Sequence, residues 1–276
     1  MIAVSHLRPT TEPDSMTLRE VTVLRAERLT KRYRGIPVVN RVTFEVKPGE
    51  VVGYLGPNGS GKSTTVKMLT TLLEPSQGQI LFDGQPIQLD LHGFKKRLGY
   101  VPEESHLYPY LTGTEYLQLV GRLRLIPERL LNEKIDAFLR LFLLHPYRHS
   151  AISAYSNGMR RKILISAALL HNPDVVIFDE PESGLDIGSG LVLRSLVQTL
   201  AEESKIVLYC SHLLDVVEKL CSKVVILYRG KVVANDSIDH LRALMRRPSL
   251  EDVFTELVRQ EDPNHVARDI VNVMKY

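Results

Sequence analysis

At 276 residues, with 44% hydrophobic and 24% charged residues, the chain is long enough for one large α/β domain or two small ones, and a sizeable core is expected. Its net charge of +3 is small, and its basic clusters (Lys31-Arg32, Lys95-Lys96-Arg97, Arg160-Arg161-Lys162, Arg246-Arg247) are scattered and read as solvated surface, so nucleic acid is not expected as a partner. No apolar run approaches the roughly eighteen residues of a membrane helix, and Cys210 and Cys221 supply neither a disulfide framework nor a metal cluster.

Met1–Ser15 carries prolines, charges and threonines without an apolar stretch, which is not the pattern of a secretory signal. Residues 1–19 are expected to be a disordered leader, with Met16 an alternative start, and 20–276 a single domain. Glu20–Leu29 and Val42–Val46 read as strands of an N-terminal hairpin, and Lys47-Pro48-Gly49-Glu50 as a turn into a core strand, Val51–Leu55. A glycine-rich loop follows, then a helix over Lys62–Leu73 that Glu74-Pro75-Ser76-Gln77-Gly78 terminates.

From Thr112 to about Leu144 apolar residues recur at helical spacing, as in Tyr116, Leu117, Val120 and Leu123 and again in Ile135, Phe138, Leu139 and Phe142. This predicts an inserted helical subdomain, placed over residues 104–168. Strand and helix then alternate: Val175–Asp179, Ser189–Glu202, Ile206–Cys210, Leu213–Leu220, Val224–Tyr228 and a hairpin strand at Lys231–Ala234. Such alternation predicts an α/β fold with a mostly parallel core sheet flanked by helices, beside the N-terminal antiparallel β subdomain. Ser237–Met245 and Ser249–Val258 read as short helices of a C-terminal extension over residues 237–276.

Gly56-Pro57-Asn58-Gly59-Ser60-Gly61-Lys62-Ser63 fits the G-x-x-x-x-G-K-[ST] pattern in its required setting between a strand and a helix. Glycines let backbone N–H groups curl around phosphate oxygens, and the helix N-terminus adds positive potential. Lys62 neutralises the β- and γ-phosphates, Ser63 can ligate Mg²⁺, and Thr64 supports the inner phosphates. Val175–Asp179 is an apolar strand ending in Asp179-Glu180, which puts two carboxylates at the carboxyl edge of a parallel sheet beside that loop. Asp179 suits the Mg²⁺ shell, and Glu180 is placed to polarise a water for attack on the γ-phosphate.

A phosphate loop and an acidic strand define only a large class of P-loop nucleotidases. Tyr155-Ser156-Asn157-Gly158-Met159, before a helix and ahead of Asp179, narrows it, because the stretch resembles the signature motif of the ATP-binding cassette family. Glu182-Ser183-Gly184-Leu185-Asp186 resembles the family's D-loop, and His212 its switch histidine. Tyr33 resembles the aromatic that stacks on adenine, and Gly99-Tyr100-Val101-Pro102-Glu103 the Q-loop, with Glu103 in place of glutamine near Mg²⁺. The resemblance spans about Glu20 to Ala234. Asn157 and Met159 depart from the usual glycine and glutamine, and asparagine suits the turn if its backbone is left-handed.

The resemblance implies an ATPase that powers a transporter. Two subunits, identical or homologous, meet head to tail, with ATP between Lys62 of one and Ser156 and Gly158 of the other. Catalysis falls to Lys62, Glu180 and His212, and metal binding to Ser63, Asp179 and Glu103. The partner is an integral membrane permease, a separate chain, docked near Leu107, Tyr108 and Tyr110, with this subunit cytoplasmic on the inner face of the membrane. Tyr100–Glu103, Tyr108–Thr112 and Ser249–Phe254 resemble the exporter branch. The alternatives are a soluble cassette acting on the ribosome or DNA, an importer ATPase, or a regulator that scarcely turns ATP over.

Overall fold

A computed structural model describes residues 23–104, 106–258 and 263–274; the expected leader, residues 1–19, lies outside them. Strands β1 (Leu24–Tyr33) and β2 (Ile36–Val46) form the expected hairpin, turning at Arg34 and Gly35 with φ of 50° and 84°. Leu24, Ala26 and Leu29 of β1 and Val39, Val42, Phe44 and Val46 of β2 are buried, so one face of the ribbon lines a core. Strand β3 (Val51–Leu55) is buried at every position and feeds the glycine-rich loop and helix α1 (Lys62–Leu69).

The helix ends four residues before the expected Leu73. Thr71 turns with φ of 62°, and the N–H groups of Leu72 and Leu73 both fold back onto the Lys67 carbonyl. Next come β4 (Gln77–Phe82), β5 (Gln85–Pro86), α2 (Leu91–Arg97) and β6 (Leu98–Val101). The first sheet is antiparallel in the order β2-β1-β4-β5.

The predicted helical stretch is two helices, α3 (Gly113–Leu123) and α4 (Glu128–Leu141). They are separated by a left-handed Leu125 (φ 58°) and by Pro127, which stands at the N-cap of α4. Then follow α5 (Asn157–Leu169), β7 (Val175–Asp179), α6 (Ile187–Glu202), β8 (Ile206–Cys210), α7 (Leu214–Leu220), β9 (Lys223–Tyr228) and β10 (Lys231–Ser237). Three short helices, α8 (Ile238–Met245), α9 (Leu250–Val258) and α10 (Pro263–Val273), come last.

The second sheet runs β10-β9-β3-β8-β7-β6, parallel throughout except for β10. In this order β3, β8 and β7 are neighbours, with Tyr54 and Asp179 both in register with Cys210. The phosphate loop after β3, the acidic pair after β7 and His212 after β8 therefore leave the sheet at one edge.

Helix α5 holds the sheet and the helical insertion together. Its Ile163, Ala167 and Leu170 side enters the core shared with Leu117, Leu131, Ile135 and Leu139, whereas Leu164, Ile165 and Ala168 pack against the buried face of β7 and β8. Burial on both sides explains why its sequence lacks the one-sided apolar stripe of α3 and α4.

Candidate active site

The phosphate loop is held by close backbone approaches. A side chain at Gly56 would collide with the Leu227 carbonyl and the Ser60 hydroxyl, and a Cβ at Gly61 (φ 105°) would lie 2.8 Å from the Val38 carbonyl oxygen. The turn after β9 secures the loop from the other side, with Gly230 N–H donating to Ser60 O at 2.9 Å. No side chain caps α1 and no acid stands in its first turn, so the positive end of the helix faces the loop unopposed. The Lys62 ammonium arches back over the loop, donating to the carbonyls of Gly56 (2.5 Å) and Pro57 (3.3 Å). Pro57 is half-buried and Asn58 and Gly59 exposed; Ser63 lies on the exposed side of α1, and Thr64 is half-buried.

At the end of β7 the chain turns sharply. Glu180 has a left-handed φ of 46°, uncommon for a residue with a side chain, and its N–H donates to Cys210 O at 2.9 Å. The turn separates the two acids. Asp179 stays buried, while the Glu180 carboxylate reaches the His212 ring, Oε2 to Nδ1, at 2.8 Å. Residues Leu55–Asn58, Glu103, Glu180, Ser211 and His212 line one cleft of about 420 Å³.

Burial pushes the Asp179 carboxyl up to about 6, and the charges of Glu103 and Glu180 push the same way, with Lys62 opposing. Three carboxylates gather near the Lys62 ammonium and the buried Arg161 guanidinium, and the Asp179 carboxyl is raised even so, a setting that a divalent cation would relieve. Among the described residues no three or more His, Cys, Asp or Glu side chains converge as a closed metal site, so such a cation would have to take its other ligands from water or phosphate oxygens.

Ser156 caps α5, its Oγ accepting from Met159 N–H at 3.2 Å. Asn157 is the first residue of the helix and is not left-handed, so the left-handed turn that asparagine would tolerate does not arise there. Gly158 is the constrained position, because a Cβ there would lie 2.8 Å from the Gly184 carbonyl oxygen of the Glu182–Asp186 loop. That loop is itself anchored, since half-buried Glu182 takes both an Arg194 fork (2.9 and 2.7 Å) and the Tyr209 hydroxyl (2.8 Å).

Lys62, Glu103, Asp179, Glu180 and His212 thus come together around the loop. Ser156 and Gly158 do not line that cleft; Ser156 is exposed and Gly158 half-buried. Tyr33 ends β1 with 47% of its surface exposed and the Lys31 ammonium 5.8 Å from its ring, while the following strand β2 touches the loop through Val38 and Val39.

One residue near the site has the opposite setting to the one its sequence suggests. Arg161, in a basic run read as solvated surface, is only 3% exposed. Helical phase was the available signal: it lies three, four and seven residues before Leu164, Ile165 and Ala168, all on the sheet-facing side of α5.

A glycine-bound phosphate loop, an acidic strand end and a glutamate–histidine pair in one cleft define a P-loop nucleoside triphosphatase. Comparison with known proteins narrows the class. Residues 39–183 match the family model described as ABC transporter. The ABC transporter ATP-binding protein NatA of Bacillus subtilis is 35% identical over 236 residues, covering 85% of this chain and 96% of its own length. The "Probable multidrug ABC transporter ATP-binding protein YbhF" of Escherichia coli is 32% identical over 88% of this chain and 43% of its own. A solved ATP-binding subunit of an ABC transporter superposes with a TM-score of 0.80 at 32% identity, covering 86% of this chain and 99% of that one. The chain belongs to the ABC transporter ATP-binding family. It is an ATP-binding, ATP-hydrolysing cassette subunit.

Proposed function

We propose that this cassette works as the motor of an exporter, closing head to tail on a second cassette and driving a permease carried on a separate chain. The observation that carries the catalytic part is the 2.8 Å contact between Glu180 and His212 in the cleft of the phosphate loop. Glu180 orients the attacking water and His212 holds Glu180 and reads the γ-phosphate, while Lys62 balances phosphate charge. Ser63, Asp179 and Glu103 would hold Mg²⁺, which would neutralise charge developing between the phosphates. Tyr33 supplies an aromatic face for adenine, and Gly56–Thr64 wrap the phosphates.

The second cassette completes the site. Ser156 and Gly158 offer a helix start with its dipole and N–H groups, but do so outside their own cleft, so the anion they suit belongs to another subunit. That subunit is a second copy or a homologous chain. ATP then closes the pair, and loss of the γ-phosphate reopens it.

Tyr108 and Tyr110 are 60% and 92% exposed beside the helical insertion, whereas Leu107 is half-buried between its core and that of the sheet. A partner would therefore meet the two tyrosines and not the leucine. Exposed Leu72, Leu123 and Leu125 rim a further groove with Lys95 and Lys96, which widens the apolar surface on offer. In this reading the permease is a separate chain and this subunit sits at its cytoplasmic face; among the described residues no helix is long and apolar enough to cross a membrane. The multidrug designation of YbhF supports outward transport.

Purification of the tagged protein from detergent-solubilised membranes tests this reading. The expected companion is an integral membrane chain; ribosomal proteins or DNA in its place would replace the transporter with a soluble role, and a substrate-binding protein in the complex would reverse the direction.

A further inference from the structure

The helical insertion has its own core, and polar struts tie it to the sheet. At the start of β6, Arg124, which follows α3, donates to the carbonyls of Lys95 and Leu98, and the His171 ring meets Leu98 O at 3.0 Å. At the other end, beside the nucleotide cleft, a single side chain does the same. Arg161 Nη1 donates to Pro102 O in a short bond and Nη2 to Glu103 O at 2.6 Å, while its buried Nε has no partner among the described residues.

Burying a guanidinium is costly. Desolvation lowers the Arg161 pKa, and Asp179, Glu103, Glu180 and Tyr100 draw it back. A well-packed apolar side chain would fill this space at lower cost, so what the arginine adds is direction. Its planar fork fixes two adjacent carbonyls in position and orientation together. Those carbonyls belong to the segment that presents Glu103 to the cleft. The other end of the strut is the second turn of α5, whose first turn carries Ser156 and Gly158.

We propose that Arg161 is a positioning residue that makes the Glu103 segment and the Ser156–Gly158 helix start move as one body. The anion site offered to the second cassette is then aligned only when Glu103 is seated at its own nucleotide. This rests on the two-cassette reading above. Among the described residues the hydrogen bonds of Arg161 go to main-chain carbonyls and none reaches the phosphate loop, so its loss acts mainly on turnover and only weakly on binding.

The test compares Arg161→Lys and Arg161→Met with the parent protein, reading kcat and KM for MgATP, equilibrium binding of a fluorescent ATP analogue, and melting temperature. Both variants are expected to keep KM and binding within about threefold while kcat falls about tenfold or more, the signature of a lost alignment. Lysine does not rescue, because one ammonium cannot hold two adjacent carbonyls as the fork does. A parent-like kcat in Arg161→Lys overturns the proposal. So does a parallel loss of turnover, binding and folding in both variants, which would make Arg161 a folding residue only. Sedimentation of the Glu180→Gln protein with ATP separates the failures. If that protein dimerises and Arg161→Lys turns over normally, only the Arg161 assignment falls; if it never dimerises, the two-cassette reading falls and takes this one with it.

Discussion

Two helix starts in this molecule are suited to an anion, and they are built differently. At α1 the approach is all glycine and backbone, with Gly61 left-handed at the N-cap, no capping side chain and a lysine folded over the loop. At α5 the N-cap is Ser156, the next residue is already helical, and the glycine that matters is pressed against a neighbouring loop. The first start forms a cradle, and the second a finished, exposed surface. A cradle needs flexible backbone and a fixed charge, whereas a surface needs a rigid helix held at the right angle. This contrast explains why the braces of the fold, the Arg161 fork and the Glu182–Arg194–Tyr209 cluster, lie around α5 and the Gly184 loop and not around α1.

The comparison breaks most sharply at Lys62. Lys62→Ala removes the ammonium that opposes the Glu103 and Glu180 charges at Asp179. Charge-assisted bonds of this kind are worth about 2–3 kcal/mol, so affinity for MgATP should fall about a hundredfold, measured by isothermal titration. An affinity within threefold of the parent would mean that the backbone cradle alone carries binding.

At the second helix start the expected loss is of turnover. Gly158→Ala places a Cβ 2.8 Å from Gly184 O, and since that contact is backbone to backbone, either α5 or the Glu182–Asp186 loop must shift. The expected outcome is a fall in kcat of about tenfold with KM held within twofold, read from steady-state ATPase assays. A rise in KM with kcat intact would place Gly158 in ground-state binding and erase the distinction between the two starts.

The cradle was legible in the sequence and much of the presented surface was not, for a physical reason. Gly56–Ser63 and Val175–Glu180 are contiguous stretches whose chemistry and setting are both local, so the order of residues carries them. Strand β6 has four residues, too few for a periodic pattern, and β4 opens with Gln77-Gly78-Gln79, exposed positions stabilised by pairing with β1. Neither announces itself without its partner strand. Arg161 was hidden by composition, since three basic residues in a row suggest solvent, and only their phase on α5 separates the buried one from its neighbours. At Asn157 the missing glycine raised the question of a left-handed backbone, which the helix does not need there, whereas Gly158 beside it meets the steric limit.

The smallest expected effect concerns Asp179 and sharpens the account of the cradle's charge. Its carboxyl titrates near 6 in the folded protein against an ordinary value of 3.8, so the folded chain holds the proton more tightly than the unfolded one. Stability from this group is fully present below about pH 4 and is lost as pH rises through about 6, after which a constant penalty remains, on the order of 3 kcal/mol at most. Asp179→Asn removes the penalty, so at pH 7.5 without divalent cation the variant should melt a few degrees higher than the parent, with the difference fading towards pH 4, as followed by circular dichroism. Saturating MgATP should reverse the order, because the variant lacks the Asp179 carboxylate that would help hold the cation. If the two proteins melt together at both pH values, Asp179 carries no stored repulsion, and the excess charge that makes this edge fit for a divalent ion must lie with Glu103 and Glu180 instead.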